Sequence, residues 1–214
     1  MTTKEVQSPR GVSVEMHARD DTSDLATIGS TWRLWDALHD EYGLADIFSD
    51  GVMLDVGAHI GSVCIAFLVD NPAARAIAIE PLPENVQMLR QNAESAGVID
   101  RLAILQGAIG TDTIHYGFDD HKYIGNIGGS TANTAISASV VALSDLGPID
   151  IVKVDCEGCE WSLLADPAIA DVRIIVGEWH GAPVSRLRKA LTKTHKVSIL
   201  TDDAGFGTFR AVAR

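Results

Sequence analysis

The chain has 214 residues and a formal net charge of −12 at pH 7, and nearly half of its residues are apolar. This size predicts one domain with a sizeable core. The chain has no apolar run long enough for a transmembrane helix and no apolar signal-peptide core near its N-terminus. Its negative charge argues against nucleic acid or an anionic membrane as the main partner. The three cysteines are too few for a disulfide framework, so we expect a reduced, cytoplasmic protein.

The first 22 residues show little periodicity, and we expect a loose N-terminal arm before a single domain over 23–214. Apolar residues then recur at three- and four-residue steps, which predicts N-terminal helices over 23–45 that end at Gly43. These apolar residues are Leu25, Ile28, Trp32, Trp35, Leu38 and Tyr42.

Strand-like apolar runs next alternate with helical patterns. We predict strands over 52–56, 76–79, 102–105, 149–154 and 172–176, and helices over 61–69, 83–96 and 185–193. Two further runs, 197–200 and 208–212, flank a turn-rich segment and predict a closing antiparallel hairpin. The alternation predicts an α/β fold with a mostly parallel sheet and helices on both faces.

A long polar segment, 108–147, interrupts this alternation. It is rich in glycine, serine and threonine and contains His115 and His121. Because it follows the third strand of the sheet, we expect it to act as a substrate loop over the ligand-binding edge. The two histidines are second-rank candidates for catalysis.

The turn Asp55-Val-Gly-Ala-His-Ile-Gly61 and the acidic residue Glu80 predict a nucleotide-type pocket. Ligands of open parallel sheets bind beyond the carboxyl ends of the strands, where both features lie. Gly57 suits a positive φ and Gly61 suits close helix packing. Asp55 is a candidate acceptor for an ammonium group, and Glu80 is a candidate acceptor for both ribose hydroxyls.

The glycine spacing of this turn separates two cofactor classes. It matches neither the dinucleotide fingerprint nor the phosphate-binding loop. A sulfonium cofactor carries no phosphate, and the turn therefore favours S-adenosylmethionine over a nicotinamide dinucleotide.

Three motifs together resemble the FkbM family of S-adenosylmethionine-dependent methyltransferases. They are Asp55-Val-Gly-Ala-His-Ile-Gly61, Ala78-Ile-Glu-Pro-Leu-Pro-Glu-Asn85 and Lys153-Val-Asp-Cys-Glu-Gly-Cys-Glu160. The resemblance implies a class I methyltransferase fold, Rossmann-like with seven strands, and methyl transfer to a hydroxyl of a sugar or another natural product. It also implies that Ala58 lies in the cofactor turn and that Gln106 and Ala108 lie near the adenine. Segments 19–24 and 41–42 resemble the part of the family that closes the cofactor site.

A hydroxyl acceptor needs a general base, or a metal ion that lowers its pKa. Asp155 and Glu157 follow the fourth predicted strand, and Glu178 and His180 follow the fifth. We predict that His180 is the base and that Glu178 or Asp155 orients it, because histidine titrates near neutral pH. The alternative is Mg²⁺ held by Asp155, Glu157 and Glu178.

The function that these residues favour is O-methylation of a sugar or glycosylated small molecule. Other hypotheses are methylation of a polyketide hydroxyl, an amine or a carboxylate, a nicotinamide-dependent oxidoreductase, and a binding domain without catalysis. Cys156 and Cys159 match Cys-x-x-Cys, which can indicate zinc or redox chemistry. Cys64 is the sole remaining cysteine, which disfavours a zinc site, and the resemblance implies small or apolar residues at both positions, which disfavours either chemistry. Aromatic residues near the N-terminus suggest a homodimer.

Overall fold

The computed structural model describes residues 1–34, 37–110, 114–118, 125–127 and 136–214. Its strands are β1 Thr2–Gln7, β2 Ser13–Ala18, β3 Val52–Val56, β4 Arg75–Glu80, β5 Leu102–Gln106, β6 Ala108–Ile109, β7 Ile114–Phe118, β8 Gly125–Ile127, β9 Ile136–Ala138, β10 Val140–Val141, β11 Ile151–Val154, β12 Ile174–Trp179, β13 His195–Ile199 and β14 Gly207–Ala213. Its α-helices are α1 Asp24–Thr31, α2 Ser62–Asp70, α3 Pro83–Ser95, α4 Glu160–Leu163 and α5 Val184–Leu191. Short 3-10 helices cover Leu44–Asp46, Ile99–Arg101, Leu143–Leu146 and Pro167–Asp171.

A seven-stranded sheet in the order β13-β14-β12-β11-β3-β4-β5 forms the centre of the molecule. The five strands from β12 to β5 are parallel, whereas β14 pairs antiparallel with both β12 and β13. The fold is therefore that of a class I methyltransferase, with the predicted parallel strands and the predicted C-terminal hairpin.

Alternating residues of the central strands feed two separate cores. Met53 and Ile151 pack in a core with residues of α1, α2 and α3, whereas Leu54 and Val152 pack in a core with residues of α4 and α5. Side chains of neighbouring strand residues point to opposite faces, so apolar runs such as 151–154 bury both faces of the sheet.

The N-terminal region differs from the expected loose arm. β1 and β2 form an antiparallel hairpin, and its residues Val6, Met16 and Ala18 are buried in the first core. Asn92 of α3 holds this hairpin, because its Oδ1 accepts a hydrogen bond from the His17 backbone N–H at 2.7 Å. Apolar residues at every second position of a short hairpin are enough to anchor it on one face, and this alternation was the signal in the sequence.

The N-terminal helices are shorter than predicted. α1 ends at Thr31, and among the described residues between it and β3 the helical element is the 3-10 helix Leu44–Asp46. Gly43 adopts a positive φ of 64°, but it begins that 3-10 helix rather than ending a long one. The bend after α1 brings the segment 37–42 to the carboxyl edge of the sheet, which matters for the site. Trp35 lies outside the described residues.

The predicted insertion 108–147 contains short strands rather than a continuous loop. β6 pairs with β10, and β7 pairs with β8 and β9. His121 lies outside the described residues, so its predicted role stays a prediction. No helix within the described ranges is long and apolar enough to cross a membrane.

Candidate active site

The order of the sheet reverses between β3 and β11, and a cleft opens at the carboxyl ends of these strands. Such a reversal is where ligands bind in open α/β sheets. Residues from the ends of β3, β4 and β11 line the cleft, together with the start of the insertion. We call it the switch-point cleft; its lining includes Gly57, His59, Glu80, Leu82, Asn85, Ala108, Asp155, Cys156 and Glu157.

Glu80 connects the two chain segments that bound this cleft. Its Oε2 accepts a hydrogen bond from the His59 backbone N–H at 2.8 Å, and its Oε1 accepts from Leu82 N–H and Asn85 Nδ2 at 3.0 and 3.1 Å. Burial raises the pKa of Glu80 above its usual value, although these hydrogen bonds counteract that effect. A carboxylate has about four acceptor positions, so Glu80 retains capacity for a ligand hydroxyl.

His59 is part of the cleft lining. Its backbone has a φ of +50°, both ring nitrogens are buried, and Nε2 lies 3.5 Å from Asp24 Oδ1. Burial lowers the pKa of His59 to about 4, so the ring is neutral at physiological pH and contributes an uncharged surface to the cleft.

The two glycines of the turn are required by the protein's own packing. A Cβ at Gly57 would lie 1.8 Å from the Asp155 carbonyl oxygen, and Gly57 has a φ of +75°. A Cβ at Gly61 would lie 2.8 Å from Ile65 Cδ1 and 3.1 Å from Leu89 Cγ. Gly57 thus lets β11 approach β3, and Gly61 lets α2 pack closely, as its spacing suggested.

Asp55, the predicted acceptor for an ammonium group, is not part of the cleft lining. Its side chain is fully buried, with Oδ1 3.2 Å from Lys153 Nζ and Oδ2 accepting from the Cys64 backbone N–H at 3.1 Å. Lys153 also donates to the Gly57 carbonyl oxygen at 2.8 Å. Burial acts to lower the pKa of Lys153, but Asp55 and Asp155 outweigh it and raise the pKa. Asp55 and Lys153 therefore brace the turn from beneath the cleft.

Only part of the predicted cofactor set lines the switch-point cleft. The residues that do are Gly57, Glu80 and Ala108; the residues that are not part of the lining are Asp55, Ala58, Gly61 and Gln106. Backbone contacts explain the second group, because Ala58 N–H donates to the Ile79 carbonyl oxygen and Gln106 pairs with Glu80 inside the sheet. Asp55, Ala58 and Gly61 therefore shape the turn without lining the cleft.

The three predicted catalytic residues do come together. Asp155, Glu178 and His180 have ligand atoms within 4.8 Å of one another, just beyond β11 and β12. His180 Nε2 lies 3.3 Å from Glu178 and 3.8 Å from Glu157, and its Nδ1 hydrogen-bonds Glu160. We call these five residues the carboxylate–histidine cluster.

This environment is unsuitable for His180 as a general base. Burial lowers the pKa of His180, but hydrogen bonds with Glu160 and Glu178 outweigh burial and raise the pKa to about 10. The ring is therefore an imidazolium at neutral pH and has no lone pair for a substrate proton. The sequence placed His180 correctly, but it did not reveal the buried Glu160 as its partner.

Glu41 is the titratable group that sequence reasoning did not assign to catalysis. It lies beside Glu178, to which its carboxyl group hydrogen-bonds, and burial together with Glu178 raises its pKa to about 7. The hydrogen bond from His180 conversely lowers the pKa of Glu178. The neighbouring Tyr42 donates to Asp155 Oδ2 at 3.1 Å across a separation of 113 residues. Such long-range pairs leave no local pattern in a sequence.

The two tryptophans near the site have different environments. Trp179 is fully buried and packs against Phe209, so it belongs to the core. Trp161 donates from Nε1 to the His180 carbonyl oxygen at 2.9 Å and carries the Arg186 guanidinium 4.2 Å over its ring. Trp161 thereby fixes the backbone at His180.

The expectation of reduced cysteines is not met in this structure, because Cys156 and Cys159 form a disulfide. The turn between them has positive φ values at Glu157 and Gly158 and brings the two Cα atoms to 5.5 Å, within the usual range for a disulfide. Both cysteines line the switch-point cleft. The bridged turn carries Glu157 and leads into Glu160, so it connects the cleft to the cluster.

The model of the precorrin methyltransferase domain family matches residues 44–166, which is more than half of the chain. A comparison with curated proteins gave no match. The matching family model is that of precorrin methyltransferase domains, and not that of the FkbM family which the motifs resemble.

Solved structures give a likeness of fold. A protein described as a transferase from Pyrococcus horikoshii has a TM-score of 0.52 and 13% identity, over 98% of this chain and 70% of that chain. Precorrin-6Y C5,15-methyltransferase from Geobacter metallireducens gives 0.49 and 17%, over 80% and 85%. The O-methyltransferase from Bacillus cereus in complex with S-adenosylhomocysteine gives 0.49 and 13%, over 76% and 74%.

Proposed function

We propose that this chain O-methylates a small hydroxyl-bearing acceptor. The premise is that the chain belongs to the precorrin methyltransferase domain family and is an S-adenosylmethionine-dependent methyltransferase. The acceptor class that we favour is a sugar or a glycosylated natural product. The observation that carries this proposal is the Glu41–Glu178 carboxyl pair. It lies next to the switch-point cleft and offers a proton acceptor near neutral pH.

The residues of the switch-point cleft suit an adenosyl group. Glu80 has remaining acceptor capacity for a ribose hydroxyl, and the neutral His59 ring lines the same cleft. Ile79, Leu82 and Ala108 supply an apolar seat for a purine ring. When bound, S-adenosylmethionine supplies an activated methyl group.

Deprotonation of the acceptor is assigned to Glu41. With a pKa of about 7, this carboxyl group is partly ionised at neutral pH, which is optimal for a general base. Glu178 orients Glu41 through their shared hydrogen bond, and the imidazolium of His180 keeps Glu178 ionised. The positive charge of His180 also partly neutralises the negative charge of the carboxylates around it.

Base catalysis by Glu41 makes a metal ion unnecessary for this reaction. The alternative that we considered, Mg²⁺ held by Asp155, Glu157 and Glu178, has no support from the family match. The His180 imidazolium, with Nε2 3.3 Å from Glu178, already neutralises this carboxylate, and a metal cation would have to compete with it. Full turnover in the presence of a chelator is the outcome that we expect.

The charge of the site supports the choice of acceptor. Carboxylates accept hydrogen bonds from hydroxyl groups, and they repel polyanions such as RNA. The FkbM-like motifs add support for a sugar hydroxyl. The same negative charge favours one second candidate, an amine that approaches as an ammonium ion and is methylated after deprotonation.

Two measurements test the proposal. Calorimetry should show that S-adenosylhomocysteine binds and that NAD⁺ does not. Binding of NAD⁺ alone would contradict the proposal and support the oxidoreductase hypothesis. A screen with labelled S-adenosylmethionine should then give product with glycosides and polyols. Product with RNA, and none with any small molecule, would refute the acceptor class.

A further inference from the structure

A second cavity of about 650 Å³ includes Glu178 in its lining, whereas the lining of the switch-point cleft does not. Its polar wall contains Glu41 and Glu178. The rest of its lining comes from α1, from the bend that follows α1 and from the turn between β13 and β14. This volume is in the range of small-molecule binding sites.

The wall opposite the carboxylates is apolar and open to solvent. Leu200 is 52% exposed and Phe206 is 49% exposed, and both side chains line the cavity. Leu25 and Leu34 extend the same wall towards α1. Exposed apolar patches that are contiguous and rimmed by polar residues mark interaction sites or ligand-binding grooves.

The second cavity and the switch-point cleft meet at two carboxylates. Asp155 lines the cleft and Glu178 lines the cavity, and their side-chain oxygens lie within 4.8 Å of each other. A group held by Glu41 and Glu178 is therefore adjacent to the cleft, whereas a group against Phe206 is at the far end of the cavity.

We propose, on the basis of the function proposed above, that the second cavity binds the acceptor and that this acceptor is amphipathic. Its hydroxyl-bearing end faces Glu41 and Glu178, and its apolar body covers Leu200 and Phe206. A free sugar would leave the apolar wall exposed, and a polyanion would meet the two carboxylates. A glycoside with an apolar aglycone satisfies both walls.

The experiment uses two probes that share one sugar head. Octyl β-glucoside, kept below its micelle-forming concentration, and methyl β-glucoside are titrated into the full chain saturated with S-adenosylhomocysteine. The octyl compound should bind at least about tenfold more tightly, because its extra methylene groups leave water. Phe206→Ser should abolish this preference, whereas Phe48→Ser should retain it, since Phe48 is 71% exposed and lies outside the cavity.

Three outcomes overturn the inference: equal affinity for both glucosides, no binding of either, or an octyl preference that survives Phe206→Ser. The preceding titration with S-adenosylhomocysteine separates this failure from that of the proposed function. If S-adenosylhomocysteine binds and the glucosides do not discriminate, the amphipathic acceptor fails and the methyltransferase assignment stands. If S-adenosylhomocysteine does not bind, the assignment itself fails.

Discussion

The switch-point cleft and the carboxylate–histidine cluster are adjacent, but they are built in different ways. The cleft takes its main contacts from two short segments, the turn after β3 and the residues after β4, which Glu80 ties together. The cluster takes its residues from the carboxyl ends of β11 and β12 and from the turn after β11, and Glu41 lies beside it. The contacts of Glu80 join segments that are closer in sequence than the residues that the cluster brings together. Substitutions should therefore separate cofactor binding from catalysis.

The largest effect should follow from Glu41→Gln, which keeps the shape of the side chain and removes its basic form. We expect turnover to fall by about 10²- to 10⁴-fold, the usual contribution of a general base. Affinity for S-adenosylhomocysteine should stay close to that of the unchanged protein. In the unchanged protein, activity should rise with pH through about 7, because Glu41 loses its proton there.

The matched control is Glu94→Gln, an exposed glutamate of α3, which should leave turnover unchanged. Normal turnover in Glu41→Gln would remove Glu41 from the mechanism. A loss of cofactor affinity as large as the loss of turnover would mean that the two regions are not separable.

These differences also explain what the sequence could predict. The parallel strands, the helices between them and Glu80 were predicted because apolar periodicity and glycine turns are local signals. Asp155, Glu178 and His180 were predicted as neighbours because strand ends share one edge of the sheet. The surroundings of Asp55 and His180 were not predicted, since they depend on Lys153 and Glu160, whose burial and contacts arise only from tertiary packing.

The next largest effect concerns the brace beneath the cleft. Lys153→Met leaves Asp55 buried without its cation, and removal of one partner of a buried ion pair costs about 3–5 kcal/mol. Urea unfolding should report this loss of stability. Lys196→Met, at an exposed lysine of β13, should change stability little. If Asp55→Asn with Lys153→Met is no more stable than Lys153→Met alone, the two residues do not act as a pair.

The cluster should also make stability depend on pH. The pKa of His180 is about 10 in the folded chain, above its usual value, so the stabilisation is complete below about pH 6.5 and is lost as pH rises through about 10. Between about pH 7 and about pH 9, the free energy of unfolding should fall by roughly 2–3 kcal/mol. His180→Gln should flatten this decline, and parallel profiles for the two proteins would contradict the assigned imidazolium.

On the cleft side, Glu80→Gln should weaken cofactor binding and spare catalysis at saturating cofactor. Hydrogen bonds to a charged group contribute about 1.5–3 kcal/mol each, so the Kd for S-adenosylhomocysteine should rise about 10- to 100-fold. Glu84→Gln, in the first turn of α3, serves as a control of the same residue type. An unchanged Kd would show that Glu80 serves only to hold the turn together.

The smallest effect should come from the disulfide, which lies between the two regions. Cys156 and Cys159 are three positions apart, and so short a loop loses little entropy, so reduction should lower stability by about 2 kcal/mol or less. Its effect on function should be larger on turnover than on cofactor affinity, because the bridged turn carries Glu157 and leads into Glu160, both of which contact His180.

Alkylation before and after treatment with a dithiol, followed by mass measurement, counts the thiols that are released. Cys64→Ser should still release two thiols, since Cys64 is free and buried. If Cys156 and Cys159 are both alkylated before the dithiol is added, they are not bridged in solution, and the disulfide is contradicted.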